Sequence, residues 1–164
     1  MEIKELCSRF SDTSEHREKA IFNTLLIAGN RLQTIFDSRI PEITLKQFLL
    51  LSMIRQSKEK LSFTQLGSLL GCSRQNIKKL AQALEKKGFV TIEQSKEDPR
   101  AFWICPTERI NRFFQREFSP YQEELKYLFQ VYTEEEIQIL FTLLVKLYDG
   151  IDNLEEKTRK EKGI

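Results

Sequence analysis

The chain has 164 residues, 40% of them hydrophobic and 30% charged, which is the size of one domain with enough apolar material for a core. No run approaches the ~18 consecutive apolar residues of a spanning helix, and the start Met1-Glu2-Ile3-Lys4-Glu5 lacks the pattern of a secretory signal; a cytoplasmic protein without membrane association is expected. Three scattered cysteines and a single histidine, His16, supply neither a disulfide framework nor a metal set. With no nucleophile–base pair or phosphate loop either, no enzyme and no cofactor are expected.

The formal net charge is only +2, but it is unevenly spread. Residues 55–100 hold ten Lys and Arg against five acids, net +5, whereas residues 121–164 hold six against ten, net −4. The basic middle is therefore where a polyanion would bind.

Between His16 and Phe36, Ile21, Leu25, Ala28, Leu32 and Ile35 recur at helical spacing, which predicts a first long helix ending before Pro41. Three helix starts follow. Thr44 with Gln47, and Ser62 with Gln65, have the spacing of capping boxes, each flanked by an apolar pair placed to staple. Ser73 opens a third start, with Asn76 at the box position. These signals predict helices over 45–56, 63–70 and 74–87, the last two joined only by Gly71-Cys72-Ser73, which is the helix-turn-helix signature.

After Gly88 the apolar period changes from 3.6 to 2. Val90 and Ile92, then Phe102 and Ile104, predict a two-stranded hairpin with a charged tip at residues 95–100. Thr107 can cap a further helix carrying Ile110, Phe113, Phe114 and Phe118, and Pro120 should kink or break it. A last helix starts at Thr133 with Glu136 as its box partner and runs through Leu154. The charged segment 155–164 is expected to fray.

On a helical projection of residues 74–87, Ile77, Leu80, Ala81 and Leu84 share one face, and Gln75, Lys79, Gln82 and Lys86 centre the other. Such side chains suit a DNA major groove: Arg or Lys for guanine, Asn or Gln for adenine, with Ser73 and the helix N-terminus for a phosphate. Lys and Gln are also ordinary on any helix surface, and a charged hairpin tip alone is usually just solvated. Their order along the chain, a helix followed directly by a wing with Lys96 and Arg100 at its tip, is what points to double-stranded DNA.

Residues 43–107 resemble the winged-helix core of the MarR (multiple antibiotic resistance regulator) family of bacterial transcription factors. The resemblance rests on Leu45, Gln47 and Phe48; Ser62-Phe63-Thr64-Gln65-Leu66; Leu84 to Val90; and Asp98-Pro99-Arg100 leading into Thr107. Flanking helices extend it to residues 10–152. It implies a mainly α fold with a small β-hairpin: helix-turn-helix at 62–87, wing at 89–105, dimerisation helices at 14–37 and 107–154, and a charged tail at 155–164. It further implies a homodimeric repressor on a pseudo-palindromic operator, with two recognition helices ~34 to 36 Å apart. DNA contacts would come from Ser73, Arg74, Gln75, Asn76, Lys78, Lys79, Lys96 and Arg100, with Asp98 supporting the wing arginine.

The large apolar residues of the terminal helices favour burial against a second copy, although packing within one chain stays open. Trp103, Phe102, Phe113, Phe114 and Tyr121 are candidates for a cleft holding a small aromatic effector, or else plain core. Cys7, near Lys4 and Arg9, is a candidate redox thiol or a passive one. Ile92 stands where many family members carry a basic residue, which keeps open a winged-helix protein-interaction module without sequence-specific DNA binding as one alternative; a thiol-based redox-sensing regulator is the other. Glu134-Glu135-Glu136 suits the dipole of a helix start better than a metal.

Overall fold

The computed structural model describes residues 2–9, 11–95 and 102–163. These form two compact units, dividing between Phe118 and Ser119.

In the first unit a short helix α1 (Ile3–Ser8) precedes the long α2 (Ser14–Arg39). Helices α3 (Leu45–Gln56), α4 (Phe63–Leu70) and α5 (Arg74–Lys86) then start where their caps dictate. Thr44 and Ser62 close reciprocal boxes with Gln47 and Gln65, satisfying donors that a helix start leaves free. The α4–α5 turn depends on two glycines. Gly71 adopts φ 61°, the left-handed conformation that costs a Cβ-bearing residue most. At Gly67 a Cβ would lie 2.6 Å from the Cys72 carbonyl oxygen, so only glycine lets the turn fold back so closely.

The wing contains one strand more than the periodicity predicts. Strands β2 (Val90–Gln94) and β3 (Phe102–Pro106) pair antiparallel with Ile92 opposite Ile104. The two-residue strand β1 (Leu61–Ser62) adds to the other side of β3, giving the order β1-β3-β2. Two residues are too few to leave a period of 2, which is why the third strand escapes a sequence reading.

Helix α6 (Glu108–Arg116) closes the unit. Leu50, Leu51, Leu66, Ile77, Leu84, Phe89, Ile104 and Phe113 are fully buried. Phe48 holds the rings of Phe118 and Phe36 at 4.5 and 4.9 Å, and Phe113 meets Phe89 edge-on at 5.5 Å; each such pair contributes about 0.5–1.5 kcal/mol beyond its area.

The second unit comprises α7 (Ser119–Glu124), α8 (Lys126–Phe129) and α9 (Glu134–Lys162). The break expected at Pro120 falls just ahead of it: α6 ends at Arg116, and Pro120 is the second residue of α7, where its missing N–H has no intrahelical bond to make. One expectation is corrected here. The charged tail does not fray, since α9 continues to Lys162 and closes on Gly163 at φ 64°. The pairs Glu155–Arg159 (3.3 Å) and Glu156–Lys160 (2.7 Å), spaced i,i+4 with the acid first, support it. Among the described residues no helix is long and apolar enough to cross a membrane.

Candidate nucleic-acid interface

Helix α5 is strongly two-faced. Ile77, Ala81 and Leu84 are completely buried, and opposite them Gln75, Asn76, Lys78, Lys79, Gln82 and Lys86 are exposed. Ser73 caps the helix by accepting the Asn76 N–H at 3.2 Å and is itself exposed. The anchored apolar face thus fixes the rotation of α5 and turns its amides and ammonium groups outward.

Between α5 and the sheet runs an open groove of about 750 Å³, lined by Phe63, Arg74, Gln75, Lys78, Ile92 and Phe102 among others. Phe102 stacks on Phe63 at 6.1 Å, and Arg74 and Lys78 give the groove a cationic side. On the α5 side Glu85 accepts the Ile92 N–H at 2.8 Å. At the base of the wing Lys60 pairs with Glu93 at 2.8 Å.

Of the DNA-contact residues named from sequence, Ser73, Arg74, Gln75, Asn76, Lys78 and Lys79 are brought together on the exposed start of α5. Lys96, Asp98 and Arg100 lie outside the described residues. The five aromatic candidates for an effector cleft lie on three elements, β3, α6 and α7. Phe113 and Phe114 are buried in the ring cluster, because α6 turns its apolar face inward. Phe102 lines the groove beside α5, Trp103 pairs in register with Ser62 and Glu93, and Tyr121 is a buried residue of α7.

Cys7 is half-buried, with its Sγ 3.5 Å from the Thr24 hydroxyl on α2. Cys105 is half-buried on β3. Burial, followed by the neighbouring Glu93 carboxylate, pushes its thiol above the ordinary value against the opposing pull of Lys60.

Two features of the site carry no local sequence signal. The Glu85–Ile92 bond joins a helix to a strand across a turn. Lys87 reaches the Glu42 carbonyl at 2.6 Å across 45 residues, and neither periodicity nor capping grammar reports such a separation.

Helix-turn-helix, three-stranded wing and an outward polar face on the second helix together define a winged helix-turn-helix domain. Residues 43–102 match the model of the MarR family, so this winged-helix core is similar to that family. Among similar proteins, an uncharacterised HTH-type transcriptional regulator of Bacillus subtilis (strain 168), YcgE, is 29% identical over 96 residues, 58% of this chain and 62% of that one. The transcriptional repressor MprA of Escherichia coli (strain K12) is 26% identical over 107 residues, 65% of this chain and 61% of that one. The chain thus spans less than two thirds of the length of these relatives. The fold is that of MepR from S. aureus in its crystallised complex with DNA, with a TM-score of 0.69 at 17% identity, covering 79% of this chain and 96% of that one.

Proposed function

We propose that this chain is a DNA-binding transcription repressor that acts in the cytoplasm as a homodimer on a pseudo-palindromic operator and is released by a signal such as a small aromatic compound. The observation that carries it is the outward face of α5: Gln75, Asn76, Lys78 and Lys79 stand exposed at the capped start of a helix whose other face is locked into the core. That side-chain set reads base edges and neutralises phosphates. Lys96 and Arg100, supported by Asp98, are assigned to the flanking contact by analogy with the family.

Dimerisation is supported by unpartnered apolar surface. Ile21, Phe22 and Leu26 on α2, and Ile139, Phe141, Leu143 and Tyr148 on α9, are each more than half exposed, which is more than an isolated chain ordinarily leaves to water. The test is to select bound fragments from random genomic DNA, then titrate the selected duplex against salt and measure the mass of the complex. Specific binding by two copies, with affinity falling steeply as salt rises, is the expected result. A folded chain that retains no duplex at low salt would overturn the reading and leave a protein-interaction module in its place.

A further inference from the structure

The end of α5 is held by a polar junction that the outward face does not use. Lys87, the residue after the helix, donates from Nζ to the Glu42 carbonyl oxygen at 2.6 Å and reaches Gln47 Oε1 at 3.4 Å. Gln47 is a buried polar side chain, and the same oxygen accepts the Thr44 N–H at 3.2 Å to close the box at the start of α3. The Glu42 carboxylate pairs with Arg109 on α6, whose guanidinium lies 4.8 Å above the ring of Phe89. Beside it the Thr107 hydroxyl donates to the Gly88 carbonyl at 2.7 Å. Glu42 thus takes one cation on its main-chain oxygen from the end of α5, and another on its carboxylate from the start of α6. The turn that carries Glu42 is itself tied to α2, where Asp37 accepts the Leu45 N–H at 2.8 Å.

We propose that Glu42, Lys87 and Arg109 are positioning residues for DNA binding: they hold the end of the recognition helix against the α2–α3 turn and thereby fix the angle between α5 and α2. This rests on the homodimeric DNA-binding reading above, in which that angle sets the spacing of the two recognition helices. Lys87 and Arg109 would otherwise pass for phosphate-binding cations beside a DNA-reading helix. Their bonds to Glu42 commit them inward.

The test uses the full chain, Lys87→Met, Arg109→Met and the charge-swapped pair Glu42→Arg with Arg109→Glu. Without DNA, amide hydrogen exchange is followed at residues 40–47 and 84–92. With DNA, affinity is measured for a palindromic duplex selected from random sequence by the unaltered chain, and for versions with the half-sites moved one base pair apart or together. Each Met variant is expected to exchange faster in both segments and to lose spacing discrimination by about threefold or more, with an unchanged salt slope; the swapped pair regains discrimination over Arg109→Met. A salt slope reduced by about one in each variant would make these cations phosphate ligands. Faster exchange only beside the substituted residue, with spacing discrimination intact, overturns the junction. If the unaltered chain selects no DNA, the functional reading falls and the positioning role with it, and the exchange data alone decide whether the segments are coupled.

Discussion

Glu85, on the last turn of α5, accepts the main-chain N–H of Ile92 at 2.8 Å. Strand β2 lies at the edge of the sheet, and an edge strand presents donors that its neighbours leave unpaired. A carboxylate from α5 occupies one of them and ties the wing to the helix beside it. Glu85→Ala is expected to speed exchange of the Ile92 amide and to lower stability by about 0.5–1 kcal/mol, a charged bond discounted for exposure. Glu85→Gln keeps an acceptor and should lose less. Unaltered exchange at Ile92 in the alanine variant would count against the tie.

The two faces of α5 should separate stability from binding. Leu84 is fully buried, so Leu84→Ala leaves a cavity and is expected to cost about 2–5 kcal/mol in urea unfolding. Lys79 is exposed, and Lys79→Ala should stay within about 0.5 kcal/mol of the unaltered stability while weakening DNA binding and reducing the salt slope. Equal stability losses in the two variants would mean that α5 does not face as described.

Close approach at Gly67 gives a sharper contrast. A Cβ placed 2.6 Å from the Cys72 carbonyl oxygen meets backbone, which cannot turn aside as a side chain can. Gly67→Ala is expected to lose about 1–3 kcal/mol, although alanine is the better helix former by about 1 kcal/mol. Gly29 has open space around its Cβ position, so Gly29→Ala should gain stability instead. Thermal unfolding of the pair reads the opposite signs directly.

What could be read from sequence was local. Thr44, Ser62 and Thr133 mark their helix starts through hydrogen bonds that span three residues, and the buried face of α5 follows from a period of 3.6 over 13 residues. The candidate DNA-contact residues on α5 inherit that legibility because they are the complement of its buried face. Everything that joins distant segments was hidden: β1 is too short to carry a pattern, the Glu42 junction spans 45 and 67 residues, and the burial of Phe113 in the core, with Phe102 left lining a groove, follows from tertiary packing. An apolar aromatic residue reads alike in a core and in a cleft. The charged tail misled for a different reason, because its order depends on the arrangement of charges rather than on apolar content.

That arrangement makes the end of α9 sensitive to charge reversal and to salt. Glu155→Lys with Glu156→Lys turns the attractive pairs with Arg159 and Lys160 into like-charge contacts at the same spacing, which destabilise a helix. The expected result is faster amide exchange after residue 155 with the α5 segment unchanged. In the unaltered chain 1 M salt should move the same amides in the same direction, because it screens exposed pairs. Protection that resists both treatments would show that the tail is held by something other than its ion pairs.

Cys105 provides a test on pH. Burial raises its thiol above the ordinary value of 9.0, with the Glu93 carboxylate adding to the rise and Lys60 opposing it. Only the thiolate attacks an alkylating agent, so modification of Cys105 should be slow at pH 7 to 8 and should still be climbing with pH at 9.0, where an unshifted thiol begins to level off. Glu93→Gln removes the carboxylate that disfavours the thiolate and also releases Lys60 from its 2.8 Å pair. Both changes lower the pKa, so this variant should react faster at pH 8. Lys60→Met removes the favourable cation and should react more slowly. Timed alkylation with mapping of the modified peptide distinguishes these outcomes, and a slower Glu93→Gln variant would show that access rather than thiolate population governs Cys105.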